Sequence, residues 1–223
     1  MKKILLAGNA ITAEILLDYL TADSRYEVAG LTVDDSYVES DRIQGLQTTP
    51  FSKLEQQYRP NDYLVIMAMG YADLNQSRES MYFRLKEKGY DIETYVHPDA
   101  LIYTKEPLGK GSVILPSAVL EPHVKLGENS LVWCNATLAH HSTVADHCWI
   151  ASGTVISGKA SVERNSFVGV NATVVNEVVV GQYNIIGGGA LITKSTKPST
   201  VHLARSGEEL RFSSQDYVKY FGV

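Results

Sequence analysis

Residues 108–192, written in sixes, read LGKGSV ILPSAV LEPHVK LGENSL VWCNAT LAHHST VADHCW IASGTV ISGKAS VERNSF VGVNAT VVNEVV VGQYNI IGGGAL I. Every block opens on an aliphatic side chain, from Leu108 through Leu138 and Val144 to Ile192, fifteen positions in one phase. Four residues on, a small or slender side chain recurs, as at Ser112, Ala118, Ser130, Ala136, Cys148, Ala160 and Ala190. Period six fits neither an amphipathic helix nor an alternating strand. It fits a solenoid, in which each repeat buries its face only against its neighbours. Gly and Asn between the aliphatic positions supply the left-handed backbone of tight turns. The stretch therefore reads as a coil of short strands with one inward aliphatic per face.

The first hundred residues are organised differently. Lys3–Ala7 reads as a short buried strand, followed by Gly8-Asn9-Ala10 and an amphipathic helix around Thr12–Leu20. Glu27–Val33 reads as a second strand ending in Asp34-Asp35, and Tyr63–Met69 as a third ending in Gly70-Tyr71. A polar helix follows from about Leu74 to Lys88, closed by Gly89. Alternating strands and helices predict a small, Rossmann-like parallel α/β sheet. Ligands on such sheets bind beyond the carboxyl ends of the strands, where Gly8, Asn9, Asp34, Asp35, Gly70 and Tyr71 fall. A dinucleotide fingerprint needs three glycines. Gly8–Ala13 has one, which disfavours NAD and leaves room for a single nucleotide diphosphate on loop amides and a helix N-terminus.

At 223 residues the chain suits two small domains. A net charge of −5 provides no basic field for nucleic acid. No apolar run reaches membrane-spanning length, so no membrane partner is expected. Cys134 and Cys148 are too few for a disulfide framework and read as reduced thiols in a cytoplasm.

The hexapeptide pattern resembles that of left-handed parallel β-helix proteins, which are mostly acyltransferases. The resemblance covers residues 101 to about 196. It implies three-sided coils of about eighteen residues, hence about five coils. The left hand comes from the family alone, because crossover connections are in general right-handed. An α/β domain ahead of such a helix resembles the sugar O- and N-acetyltransferases typified by the bacterial sialic acid and bacillosamine-pathway enzymes. The matching segments are Asn135–Ser142 (NATLAHHS), Ile156-Ser157-Gly158 and Phe167–Asn171 (FVGVN). This resemblance implies a homotrimeric cytoplasmic enzyme of surface polysaccharide, lipopolysaccharide or O-antigen biosynthesis. Acetyl-CoA would be its co-substrate and a nucleotide-activated sugar, expected to be an amino sugar, its acceptor. It implies His140 as general base beside His141, with CoA contacts at Trp149, Gly158, Val170 and Gly188. Acceptor contacts are expected at Gly8, Asn9, Ala10, Asp34, Asp35, Gly70 and Trp133, with no protein-bound metal. The domains would be a nucleotide-sugar domain (1–96), the β-helix (97–202) and a C-terminal helical cap (203–223). In that cap, Glu208–Phe221 presents Leu210, Tyr217, Val218 and Phe221 for packing.

With that coil length, residues eighteen apart stack. His140 falls between Pro122 and Gly158, and the glycine leaves open space above the imidazole for a thioester. His141 falls between His123 and Lys159. His147, between Asn129 and Asn165, reads as part of a polar turn ladder. Acetyl transfer needs a base near neutral pKa and donors for the tetrahedral oxyanion, roles that a histidine and turn amides fill. Two features depart from the relatives. Their glutamate after the base is replaced by His141, which cannot stabilise an imidazolium as a carboxylate does. Either His141 orients the base as a neutral acceptor, or Asp146 does so, or the nucleophile is less demanding. The G-x-P-A-[KR] segment near CoA adenine is replaced by Lys197–His202. Two other readings compete: a γ-carbonic-anhydrase-like zinc enzyme using His123, His141 and His147, and a non-catalytic trimeric binding module.

Overall fold

The computed structural model describes residues 1–38, 42–43 and 45–222. The α/β domain runs β1 (Lys2–Ala7), α1 (Ile11–Ala22), β2 (Tyr26–Val33), β3 (Arg42–Ile43), β4 (Leu46–Pro50), α2 (Leu54–Gln57), β5 (Leu64–Met67), α3 (Gln76–Glu87) and β6 (Asp91–Ile92). The sheet order is β3-β4-β2-β1-β5-β6, parallel except for the β3–β4 hairpin. Alternation along β1 sends Ile4 and Leu6 to one side of the sheet and Leu5 and Ala7 to the other, and both sides are buried. Helix α1 covers the first side through Ala13, Leu16, Leu17 and Leu20, a spacing of three and four residues that makes one apolar stripe. Helix α3 covers the second through Met81, Tyr82 and Leu85.

From Tyr95 onward the chain winds into three parallel sheets. Consecutive strands in each are offset by eighteen residues, as in Val119↔Thr137 and Thr137↔Val155, except the last pair, Ile185↔Val201. The Trp149 face holds seven strands from Tyr95–Val96 to Val201–His202, the Thr137 face six and the Thr143 face four. The first residue of each hexapeptide fills the interior, a continuous column that includes Ile114, Leu120, Leu138, Val144, Ile150 and Ile186, all fully buried. The fourth residue of every hexapeptide from Gly111 to Gly189 is left-handed, with φ between +51° and +73°. Asn and Gly take many of these corners, as expected. Ser117, His123, His141, His147, Lys159, Glu177 and Tyr183 occupy the rest. Glycines in second position have another purpose. A Cβ on Gly127 would lie 2.6 Å from the Ala145 carbonyl carbon and from Asp146 N, so the glycine lets the next coil approach.

Three corners follow from the three faces: a His141 corner after the Thr137 face, a His147 corner after the Thr143 face, and a Gly153 corner after the Trp149 face. The α/β domain sits on the Trp149 face. Ile4, Leu6, Ala13 and Leu16 form one core with Val113, Leu131 and Trp149. The Trp149 face is bounded by the His147 and Gly153 corners, so the His141 corner is the vertex opposite the α/β domain.

The C-terminal cap differs from expectation. Helix α4 (Ser214–Phe221) is shorter than Glu208–Phe221, because Ser213 caps it by accepting from Asp216 N at 3.1 Å. Leu210, Tyr217, Val218 and Phe221 are all exposed. They pack on nothing in their own β-helix, since the chain leaves the last coil as an arm after His202. Val223 lies outside the described residues.

Candidate functional site

A cavity of about 640 Å³ opens beyond the carboxyl ends of β1, β2 and β5, a volume typical of small-molecule clefts. Gly8, Asn9, Ala10, Asp34 and Gly70 line it, five of the seven expected acceptor residues. Tyr37, Asp73, Gln76, Ser77 and Ser80 complete the wall. They were not foreseen, because they come from a loop and from α3, whose approach to the pocket no local pattern encodes. Gly8 is required by closeness: a Cβ there would lie 2.5 Å from the Ala68 carbonyl oxygen. Asn9 donates to the Tyr37 carbonyl at 2.9 Å. Asp34 pairs with Arg84 at 2.6 Å across the mouth. Helix α1 starts at Ala10, whose side chain cannot cap it, and α3 starts without a side-chain cap as well. Ala13 N and Gln76 N bond back to the Ala10 and Asp73 carbonyls, which leaves the first-turn N–H groups of Ile11, Thr12 and Ser77 beside the cavity without a side-chain cap and suited to an anion.

Two expected acceptor contacts lie elsewhere. Asp35 turns away to accept from Ser52 N at 3.0 Å and Ser52 Oγ at 2.5 Å, bonds that hold its carboxyl below the usual range. Trp133 lies in the seam between domains, its ring 5.2 Å from that of Trp149. Trp149, expected at CoA, is packed within the chain. Trp149 is buried beneath Tyr71, at 5.0 Å between ring centroids, and belongs to the interdomain core. A large aromatic on a strand face is more valuable as core than as a rim residue.

His140 stands exposed at the His141 corner. Its ring lies directly on Gly158, where a Cβ would come 2.6 Å from Cε1 and 2.7 Å from Nε2. The glycine thus makes room for the imidazole itself rather than for a thioester above it. His140 N donates to Glu121 Oε2 at 2.7 Å, fixing the backbone at this histidine. Glu163 ties Gln182 N in the same way at 2.9 Å, which marks this as a corner device one coil and one residue long. Nδ1 of His140 lies 3.3 Å from Nδ1 of His141. His141 stacks on His123, with centroids 4.6 Å apart. Partial desolvation, then the charges of His123, His140 and Lys159, lower its pKa and favour the neutral ring. A neutral His141 can accept from His140 Nδ1–H and leave Nε2 of His140 as the proton acceptor. Asp146 takes no part. Its carboxylate accepts from Glu128 N at 2.7 Å on the His147 corner.

His147 is committed to the seam. Its Nδ1 is 2.9 Å from Asn129 Nδ2 and its Nε2 is 3.5 Å from Glu79 Oε1. With both nitrogens engaged one corner away from His123 and His141, it cannot join them around one zinc ion. Val170 and Gly188 are exposed and adjacent on the Gly153 corner, with a Gly188 Cβ falling 3.2 Å from the Val170 carbonyl oxygen. Within one chain they are not brought near His140.

No family model matches the sequence, and no curated protein matches it. Solved structures do. The acetyltransferase domain of PglB from Neisseria gonorrhoeae is 20% identical, covering 94% of this chain and 100% of its own, with a TM-score of 0.81. PerB from Caulobacter crescentus, in complex with CoA and GDP-perosamine, is 19% identical over 92% of this chain and 95% of its own, at 0.81. WeeI from Acinetobacter baumannii is 18% identical over 90% and 96%, at 0.79. At these identities the likeness establishes the fold: an α/β domain on a β-helix of the left-handed type.

Proposed function

We propose that the protein is an acetyl-CoA-dependent acetyltransferase acting on a nucleotide-linked amino sugar, as a homotrimer whose sites form between subunits. One observation carries this reading. The anion-ready cavity and His140 lie on opposite sides of the coil, so one chain cannot unite them. A neighbouring subunit's His141 corner, packed beside the Trp149 face, supplies the missing base, and closed threefold symmetry makes three equal sites. The exposed Val170–Gly188 edge flanks the same face and is assigned to CoA. PerB, similar in fold over nearly the whole chain, is a structure with CoA and GDP-perosamine bound. We place the work of this enzyme in the cytoplasm, in the synthesis of a surface glycan.

In the reaction, the nucleotide sits at the α1 and α3 N-termini with its diphosphate on their free amides. The sugar amine points toward His140 of the neighbour. Its nitrogen attacks the thioester carbonyl, forming the C–N bond as Nε2 of His140 takes the amine proton. The tetrahedral oxyanion collapses, the C–S bond breaks, and the proton passes to the departing CoA thiolate. Turn amides of the coil corners are the donors at hand for the oxyanion.

A thermal-shift panel of UDP-, dTDP- and GDP-linked amino sugars, with and without acetyl-CoA, tests the reading. Binding to the native state raises the melting temperature by mass action. One nucleotide class should stabilise the protein and release free CoA on turnover. Stabilisation by acetyl-CoA but by no nucleotide sugar would remove the acceptor reading.

A further inference from the structure

Asp73, Leu74 and Asn75 are consecutive and all left-handed, with φ of +51°, +48° and +65°. Among the described residues of the α/β domain, no other non-glycine residue has positive φ. Side chains crowd the backbone in that conformation, so a run of three persists only if its surroundings hold it. The run forms part of the cavity rim through Asp73 and leads directly into Gln76 and Ser77.

What holds it is buried three residues on. Arg78 is fully buried and has no ion-pair partner among the described residues. Its guanidinium donates to Asn75 Oδ1 at 2.8 Å and to the main-chain oxygens of Asn129, His147 (3.2 Å) and Cys148 (3.3 Å). Asn75 Nδ2 reaches the Ser166 carbonyl at 3.5 Å, and Asn165 Nδ2 donates to Glu79 Oε2 at 2.8 Å. Three successive coils of the His147 corner are thereby tied to one turn of the α/β domain. Burial pulls the Arg78 pKa down to about 9, against the opposing charge of nearby Glu79, which still leaves it charged at neutral pH. A lone buried cation is costly unless carbonyl dipoles and amides surround it. Packing alone would be served as well by an aliphatic side chain. The fork of donors instead fixes direction as well as distance.

We propose that Arg78 is a positioning residue for the acceptor cavity, clamping Asn75 to the His147 corner and so holding the left-handed turn 73–75 that shapes the cavity rim. The role rests on the acceptor reading of that cavity. It makes the β-helix an active part of acceptor recognition, with the repeat's corner carbonyls setting the pocket of the other domain.

The test uses the full-length assembled protein and the variants Arg78→Lys, Asn75→Ala and Arg78→Lys/Leu74→Gly. Hydrogen exchange is measured over residues 70–81, and affinities for UDP, dTDP, GDP and CoA by calorimetry. Arg78→Lys should raise exchange in 72–77 and weaken the preferred nucleoside diphosphate about tenfold, the scale expected when a binding group shifts by a fraction of an ångström. CoA affinity should not change. Asn75→Ala should act in the same direction more weakly, and it carries the test if Arg78→Lys does not assemble. Leu74→Gly should restore part of the lost affinity, because glycine takes left-handed backbone without strain. Wild-type exchange over 72–77 in both single variants would overturn the proposal, as would equal losses for nucleotide and CoA. If the wild type binds none of the three diphosphates, the acceptor reading fails, and the exchange data still decide whether Arg78 holds the turn.

Discussion

The His141 and His147 corners of the coil have the same backbone and the same residue type, yet opposite surroundings. Both histidines are left-handed, at φ +61° and +59°. His141 is exposed, stacks on His123 and faces His140. His147 is buried, hydrogen-bonded to Asn129 and covered by Phe83 and Tyr82 of α3. The repeat builds three equivalent corners, and what lies against each one decides its use. The corner under the α/β domain becomes a structural weld. The corner left bare is the one on which the proposed reaction relies.

Substitution of His140 should have the largest effect. His140→Ala should lower kcat by about 10² to 10⁴, the usual worth of a general base, with little change in KM for the nucleotide sugar. Full turnover in His140→Ala would mean that the bare corner is not catalytic.

His147→Ala should act on stability instead. It removes the partner of the Asn129 side-chain amide and one of the partners of Glu79, and opens a hole beneath Phe83, at a cost of about 2–3 kcal/mol. The melting temperature should fall by several degrees, while kcat per folded protein stays near wild type. A silent His147→Ala in both respects would erase the distinction between the corners.

His141 stands between these cases. His141→Asn keeps a residue tolerant of left-handed backbone and an acceptor for His140 Nδ1–H. It should lower kcat by less than about tenfold. A loss equal to that of His140→Ala would move the base by one residue.

The smallest expected effect is a pH dependence of stability. Desolvation lowers the pKa of His147 in the folded state, so the unfolded chain binds its proton first on acidification. The stability that neutral His147 contributes is complete above its unfolded value, about 6.5, and declines as the pH falls from there toward the lower folded value. Unfolding midpoints in denaturant should drop between pH 7 and 5, and His147→Asn should flatten that slope.

The coil was legible because its constraint repeats. Fifteen hexapeptides place an aliphatic residue in one phase, and the stacking of His140 on Gly158 follows by counting eighteen. The α/β strands and long helices were legible within a few residues, from runs such as Ile4–Ala7 and stripes such as Leu16–Leu20. Contacts across the seam were not. Nothing local marks Trp149 as interdomain core rather than rim, or distinguishes Asp34, which lines the cavity, from Asp35, which folds back onto Ser52. The β3–β4 hairpin escaped notice because a two-residue strand, Arg42–Ile43, carries no periodicity. In the C-terminal arm the apolar pattern of Tyr217, Val218 and Phe221 is real, but the pattern does not say what it packs against.

In the proposed trimer, the cavity of one subunit works with His140 of another. Co-expression of two inactive variants tests it: His140→Ala, and Ser77→Trp, which fills the cavity from an exposed helix position. In randomly mixed trimers, an intact cavity next to an intact His140 arises at about a quarter of the sites. The mixture should recover about a quarter of wild-type activity while each variant alone stays inactive. A mixture as inactive as its parts, with mixed trimers confirmed by mass, would contradict it.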